Sequence, residues 1–416
     1  MMGVVEFVSY QPVKRGHFPG VGFSLGIVLV AIVAILSGTD PLMAAAVAGK
    51  CGTCHTMHNS QNNAALVHAG TGAKWTAGSL TGGSSTDPQS YLLTTDCVGC
   101  HSNSAADTII TVSGARIPIV FNSVVPTNPL AGGNFYWVAT AGGNDTTKGH
   151  NVRGISAADS NLAGPPGPPG AGCEPCHTTL TAAPVKPGGF AFVMNGGCEA
   201  CHVARHHAPG SGSVVVGKDD GWFRFLGSTM EMAATNSNKT NAGVTGIEDP
   251  DWEQTSAANK HNVYKGTVNV YMSGGMGSGL ADSAVGQVCV GCHQTFHRYM
   301  TDAGQYLITG SWIRHPADVV MPDADDFRGT PPTSTPAYNP IAPVAKQAIV
   351  AGDQNTPTVA LGSDVVMCLS CHRPHGSPYP DMLRWDYRND CKAWEGDGLH
   401  PNCGCLVCHT AKDDIL

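Results

Sequence analysis

Apolar residues in this chain fall into short clumps separated by glycine, proline and small polar residues, with one exception near the start. Val21 to Leu36 is an unbroken apolar or small stretch of 16 residues. Lys14 and Arg15 precede it, and Ala44-Ala45-Ala46-Val47-Ala48 follows. Positive flank, apolar run and small-residue site in that order predict a secretory signal over 1–48, cleaved after Ala46 or Ala48. The run is shorter than the roughly 20 residues of a membrane-spanning helix, although an uncleaved anchor is the other reading. His17 leaves with the signal. Beyond it, β-branched residues at Ile109–Thr111 and Ile117–Val125 predict short strands, and Trp222-Phe223-Arg224-Phe225 predicts apolar packing.

The rest of the pattern gives connectors and little regular structure. Residues 49–162 include Gly/Ser/Thr-rich stretches such as Thr71–Gly83. Residues 163–172 read AGPPGPPGAG, too short for collagen and better suited to a polyproline II linker. A segment over 173–329 follows, then a Pro-rich extended connector at 330–343 and a last segment at 344–416. The expected fold class is mostly irregular and loop-rich, with short helices and a few short strands.

What organises these loops is a repeated pentapeptide. Cys51-Gly52-Thr53-Cys54-His55 is a CxxCH, the attachment signature of c-type haem, in which two thiols join one porphyrin and the next imidazole ligates its iron. The pattern recurs as Cys97/Cys100/His101, Cys173/Cys176/His177, Cys198/Cys201/His202, Cys289/Cys292/His293, Cys368/Cys371/His372 and Cys405/Cys408/His409. Zinc also takes CxxC pairs but does not require a histidine after each one. Seven covalent haems c are therefore expected, occupying 14 of the 16 cysteines. Cys391 and Cys403 remain; a disulfide is the expected use, with free thiols or a spare metal ligand as the other readings. Haem attachment and spare cysteines both place the chain outside the cytoplasm.

Composition supports this organisation. Charged residues are 13% of the chain, about half of the usual ~25%, and 52 glycines and 28 prolines interrupt helices and strands. Such a chain does not build a large side-chain core, so stacked porphyrins are expected to serve as one. The formal charge is −8, and seven haems with ionised propionates take it to about −15 when ferric or about −22 when ferrous. Nucleic acid is excluded as a partner on that charge.

The sixth ligand of each iron decides the function class, since two imidazoles leave electron transfer and an open position allows substrate chemistry. Ten histidines remain outside the motifs and the signal: His58, His68, His150, His206, His207, His261, His297, His315, His375 and His400. His58 and His375 lie three residues after a proximal histidine and His297 four after. Each is placed to ligate an adjacent haem more easily than its own. Methionines such as Met57 or Met300 are alternatives that the histidine surplus makes unnecessary.

CGTCHTMHNS at 51–60, GGNFYW at 132–137 with KGHN at 148–151, CHQTFH at 292–297 with RHP at 314–316, and CLSCHRPHG at 368–376 resemble the extracellular multihaem c-type cytochromes of metal-reducing bacteria that polymerise into conductive nanowire filaments. The resemblance covers most of the mature chain in islands. It implies closely stacked bis-histidine haems, with His150, His297, His315 and His375 as distal ligands within the chain. His58 would ligate the His372 haem of a neighbouring subunit, and His261 with one of His206 and His207 would complete the set. An extra motif in the 173–202 region, with His68, His400, Cys391 and Cys403, has no counterpart there, which leaves the distal ligands of the second to fourth haems open.

The expected function is extracellular long-range electron transfer through a head-to-tail polymer of identical subunits, without enzyme activity. The expected partners are further copies of the chain, extracellular acceptors such as metal oxides, and upstream periplasmic or outer-membrane cytochromes. A soluble periplasmic multihaem carrier or haem reductase is the alternative. Every motif ends in histidine and ligands are in excess, which weighs against a reductase. The expected address is secreted, extracellular or cell surface, with the periplasm as the second choice.

Overall fold

The α-helices among the described residues are about one turn long, and four of the five carry cysteines of a motif. The computed structural model describes residues 60–61, 64–65, 74–76, 79–81, 97–112, 114–160, 180–181, 197–202, 214–217, 223–226, 243–268, 283–290, 293, 315, 317–328, 335–391 and 402–410. Among them the α-helices are α1 (Val98–His101), α2 (Gly286–Val290), α3 (Cys368–Cys371), α4 (Tyr387–Asp390) and α5 (Gly404–Cys408). A 3₁₀ turn, Gly197–Ala200, carries Cys198. Helices this short do not stand alone in water, so packing around them must hold their shape. None of the helices described is long and apolar enough to cross a membrane.

The strands are equally short and make several small sheets. Ile109–Val112 pairs antiparallel with Ala115–Pro118, and Gly114 takes the left-handed φ of +87° between them. The apolar run 117–125 does not continue as one strand. Pro118 closes the hairpin, and Phe121–Asn122 pairs parallel with Ser102–Asn103, directly after α1. Lys74–Thr76 and Ser79–Thr81 extend that sheet with a hairpin, which the Gly/Ser/Thr-rich composition there does not predict. Val215–Val216, Gly246–Ile247 and Val263–Tyr264 form a three-stranded antiparallel sheet. Val319–Val320 pairs with Val365–Val366.

The protein is loop-rich, and its buried side chains collect in small separate clusters. The largest is built on Phe223, Val244, Tyr264, Val285, Val288, Ala345, Val365 and Met367, with Cys201 against it. Phe223, from the aromatic run at 222–225, is at its centre with 1% exposure. A second contains Met321, Tyr338, Val344 and Val359, with Phe327 and Cys408 at its edge. A third holds Phe135, Val138 and Val152, with Cys198 beside it. Tyr338 lies in the Pro-rich stretch 330–343, whose described part, 335–343, is irregular, with a turn at Asn339–Ala342 closed by the Ala342 amide donating to the Asn339 carbonyl at 3.1 Å.

Distant segments are stitched by polar contacts. Arg116 bonds to Asp251 at 2.8 Å. The backbone amide of Asn134 donates to the carbonyl of Gly376 at 3.0 Å. Arg384 donates to the carbonyls of Pro340, Ile341 and Ala131, so one buried guanidinium ties three stretches of irregular backbone.

Candidate haem sites

In the four motifs whose cysteines are both described, those at 97–101, 198–202, 368–372 and 405–409, the cysteines sit on one helical turn, and Cys289 of a further motif lies on α2. The backbone amide of the motif histidine donates to the carbonyl of the first cysteine: His101 to Cys97 at 3.0 Å, His202 to Cys198 at 3.0 Å, His293 to Cys289 at 2.9 Å, His372 to Cys368 at 3.1 Å and His409 to Cys405 at 2.9 Å. A helical turn brings positions i, i+3 and i+4 to one face. Two thiols and an imidazole are thereby presented together, as one porphyrin requires. Burial pushes the Cys371 thiol up to about 12 and the Cys408 thiol up to about 11, with neighbouring motif cysteines adding to the shift. Cys405 and Cys408 both act on Cys371, so the sixth and seventh attachment turns are neighbours.

The motif imidazoles are oriented from behind. His101 Nδ1 lies 2.7 Å from the carbonyl of Pro118, His202 Nδ1 3.0 Å from that of Arg224, and His372 Nδ1 2.7 Å from that of Asp381. His409 Nδ1 lies 2.7 Å from a carboxylate oxygen of Asp326. An Nδ1–H that donates in this way fixes the tautomer with its lone pair on Nε2, the state that ligates a metal. Burial lowers the pKa of His101, His202 and His372, which keeps them neutral.

Two of these supports are built alike. His202 bridges to Leu226 and His372 to Leu383, and in each case the acceptor carbonyl lies two residues before the leucine. Arg224 (φ +52°) and Asp381 (φ +59°) are both left-handed, as are Phe225 and Met382 after them. Non-glycine residues adopt that conformation at a cost, and here the strained turn aims a carbonyl at an imidazole. Sequence reasoning missed these acceptors because they lie 22 and 9 residues after their histidines, with no shared motif.

Histidines from distant segments face three of the motif histidines. The ring centroids of His202 and His375 are 6.0 Å apart, those of His150 and His293 6.2 Å, and those of His315 and His409 6.1 Å. Metal–imidazole bonds of about 2.0 Å place two imidazoles that share one ion from opposite sides with centroids about 6.3 Å apart. All three pairs match that spacing. Their interplanar angles of 46°, 60° and 82° are compatible with it, because ligation fixes the axis and leaves rotation about it free. The residues therefore fit haem iron.

The islands GGNFYW, KGHN and CHRPHG meet around these rings. Phe135 packs at 4.8 Å from the His375 ring, and a Cβ on Gly132 would lie 3.0 Å from His375 Nδ1. His150 Nδ1 lies 2.8 Å from the carbonyl of Pro374, next to His375. Burial, followed by His202, His150 and His101, holds the His375 pKa down at about 3. His372 in turn lowers that of His150, so these sites form one connected group.

His261 is not paired with a motif histidine. It is 2% exposed and stacked on Tyr338 at 3.6 Å, its Nδ1 lies 2.7 Å from the carbonyl of Asn262, and its Nε2 lies 3.3 Å from that of Thr356. Among the described residues no histidine ring faces His101 or His372. Cys391 and Cys403 form a disulfide that joins the end of α4 to the start of α5. Cys51, Cys54, His55, His58, Cys173, Cys176, His177, Cys292, His206, His207, His297, His68, His400, the 1–48 signal and the 163–172 linker lie outside the described residues.

Comparison with known proteins adds two similar solved structures. An outer membrane cytochrome S filament from Geobacter sulfurreducens is 19% identical over 83% of this chain and 85% of that one, with a TM-score of 0.45. The OmcS nanowires of the same organism are 18% identical over 88% and 93%, with a TM-score of 0.38. No family model matches the chain, and no curated protein does.

Proposed function

We propose that the chain holds seven c-type haems, each between two histidines, and conducts electrons over long distances as a head-to-tail extracellular polymer. The paired rings at 6.0, 6.2 and 6.1 Å carry this reading. In this reading His375 serves the fourth haem, His150 the fifth and His315 the seventh. When bound, the haems supply one-electron redox centres. The chain's own residues close both axial positions, keep the imidazoles neutral and exclude water from them. Closed axial positions leave no room for a substrate, which favours a conduit over a reductase.

In this reading the polymer is made at His372, whose Nδ1 lies 2.7 Å from the carbonyl of Asp381. An imidazole from a second copy, His58 by the motif resemblance, completes that site. Each subunit then gives one ligand and receives one, a heterologous contact that builds open filaments unless a rotation closes them. Extracellular oxides or electrode-like surfaces are the acceptors in this reading, and upstream cytochromes the donors.

The test is His58→Ala in the secreted, haem-loaded protein, read by electron microscopy and absorption spectroscopy. Loss of filaments with one five-coordinate, high-spin haem per monomer is expected. Intact filaments from the variant would overturn the bridge, and a monomeric wild type would favour a soluble carrier.

A further inference from the structure

His101, His202 and His372 give their Nδ1 protons to peptide carbonyls, whereas His409 faces a carboxylate, Asp326 Oδ2 at 2.7 Å. The contact is held on both sides. Asp326 is the middle residue of the 3₁₀ turn Asp325–Phe327, and the Phe327 ring lies 4.9 Å from that of His409. Thr410, directly after His409, bonds through Oγ1 to the carbonyl of Arg328. Turn and histidine are thus clamped together from residues on either side.

Among the described residues, Arg328, close by in sequence, pairs with other carboxylates. Arg328 reaches Asp323 at 3.0 Å and Asp325 at 3.2 Å. The Asp326 side chain, 30% exposed, places Oδ2 2.7 Å from His409 Nδ1. An ionised acceptor draws harder on an Nδ1–H than a carbonyl does. The imidazole gains anionic character, becomes a stronger donor through Nε2, and favours ferric over ferrous iron. The negative charge behind the ring acts in the same direction.

We propose that Asp326 is a positioning residue that sets the reduction potential of the seventh haem, holding it below the value that a carbonyl acceptor would give. The inference rests on haem attachment at Cys405 and Cys408, as proposed above. The step it governs is a one-electron transfer: an electron from an adjacent c-type haem takes this iron from ferric to ferrous, and the Nδ1 proton stays between His409 and Asp326. The site then resists reduction and acts as an uphill step in the chain of haems.

The experiment is a spectroelectrochemical titration of haem-loaded wild type, Asp326→Asn, Asp326→Glu and Asp325→Asn, with electron paramagnetic resonance of the oxidised forms. Asp326→Asn keeps an oxygen acceptor and removes the charge. One of the seven components should become easier to reduce by about tenfold, or 59 mV for one electron, with a changed low-spin signal for that haem. Asp326→Glu should restore the wild-type value, and Asp325→Asn should leave it in place. An unchanged component in Asp326→Asn, or an equal shift in Asp325→Asn, overturns the proposal. If Asp326→Asn does not accumulate, Asp326→Glu decides alone: a component displaced by tenfold or more despite the retained charge overturns it. Mass analysis of the peptide 402–410 shows whether haem is attached there, so a failure of the underlying reading is seen separately.

Discussion

His202 and His375 come from segments 173 residues apart in sequence, yet their rings face each other at a centroid separation of 6.0 Å. The spacing is that of two imidazoles on one iron; Phe135 packs 4.8 Å from the His375 ring, and a Cβ on Gly132 would lie 3.0 Å from its Nδ1. On the proposed seven-haem reading, His375→Ala should leave every haem attached and convert one to a five-coordinate, high-spin form. Absorption and resonance Raman spectra read the change. His150→Ala and His315→Ala should each open one further site, and a double variant two. A fully low-spin His375→Ala protein would break the pairing.

His261→Ala should behave differently. Its ring is stacked on Tyr338 and both nitrogens face peptide carbonyls, so it acts here as a buried polar packing residue. Losing the stack and the hydrogen bond should cost about 2 kcal/mol of stability. Every haem should stay low-spin. A high-spin signal in this variant would restore it to the ligand set.

Gly376 directly follows His375 and packs against the backbone of Asn134 and Lys148. It takes φ +122°, and a Cβ there would lie 2.9 Å from the carbonyl of Asn134 and 3.0 Å from that of Lys148. Gly376→Ala combines backbone strain with a clash against rigid backbone, so a loss of about 2 kcal/mol or more is expected in denaturant unfolding of the loaded protein. The fourth and fifth sites should loosen together, because both the 132–137 and the 148–150 strands of chain pack on this point.

The attachment turns were legible in the sequence because covalent chemistry imposes a fixed local spacing on Cys97, Cys100 and His101 and on their repeats. The loop-rich fold was legible from glycine and proline for the same local reason. The distal pairing was not, since it depends on chain reversals that bring His375 to His202 across 173 residues. His261 was named as a ligand from residue type, which carries no information about Tyr338 beside it. Asp326 was equally hidden: an aspartate in an acidic stretch reads as a solvated face until the turn at 325–327 aims it at His409.

The Cys391–Cys403 disulfide fastens the turn that carries the last motif. Cys403 is the residue before α5 and is 2% exposed, and Gly404 lies under the Trp385 ring, where a Cβ would meet carbon at 2.1 Å. Closing a loop of this size stabilises a fold by about 3 kcal/mol in the chain-entropy model. Cys391→Ser with Cys403→Ser should lower the unfolding temperature by that measure and broaden the redox component of the seventh haem first. Unchanged unfolding would show that packing against Trp385 holds α5 without the bridge.

Asp251 gives a pH-dependent contact. The Lys260 side chain, then those of Arg116 and Thr255, hold its carboxyl down at about 2 against the opposing effect of burial. A carboxylate whose folded pKa is depressed adds stability above its unfolded value of about 3.9, and the contribution is lost as the pH falls toward 2. The Arg116–Asp251 pair joins the 109–118 hairpin to the 249–264 segment, so acid should release that hairpin. Asp251→Asn should remove this part of the acid sensitivity and weaken the protein modestly at neutral pH, where the pair is partly exposed and screened. Hydrogen exchange of the 109–118 amides in both proteins between pH 5 and pH 2 provides the check. Equal acid responses in wild type and variant would assign the hairpin's attachment to its apolar contacts instead.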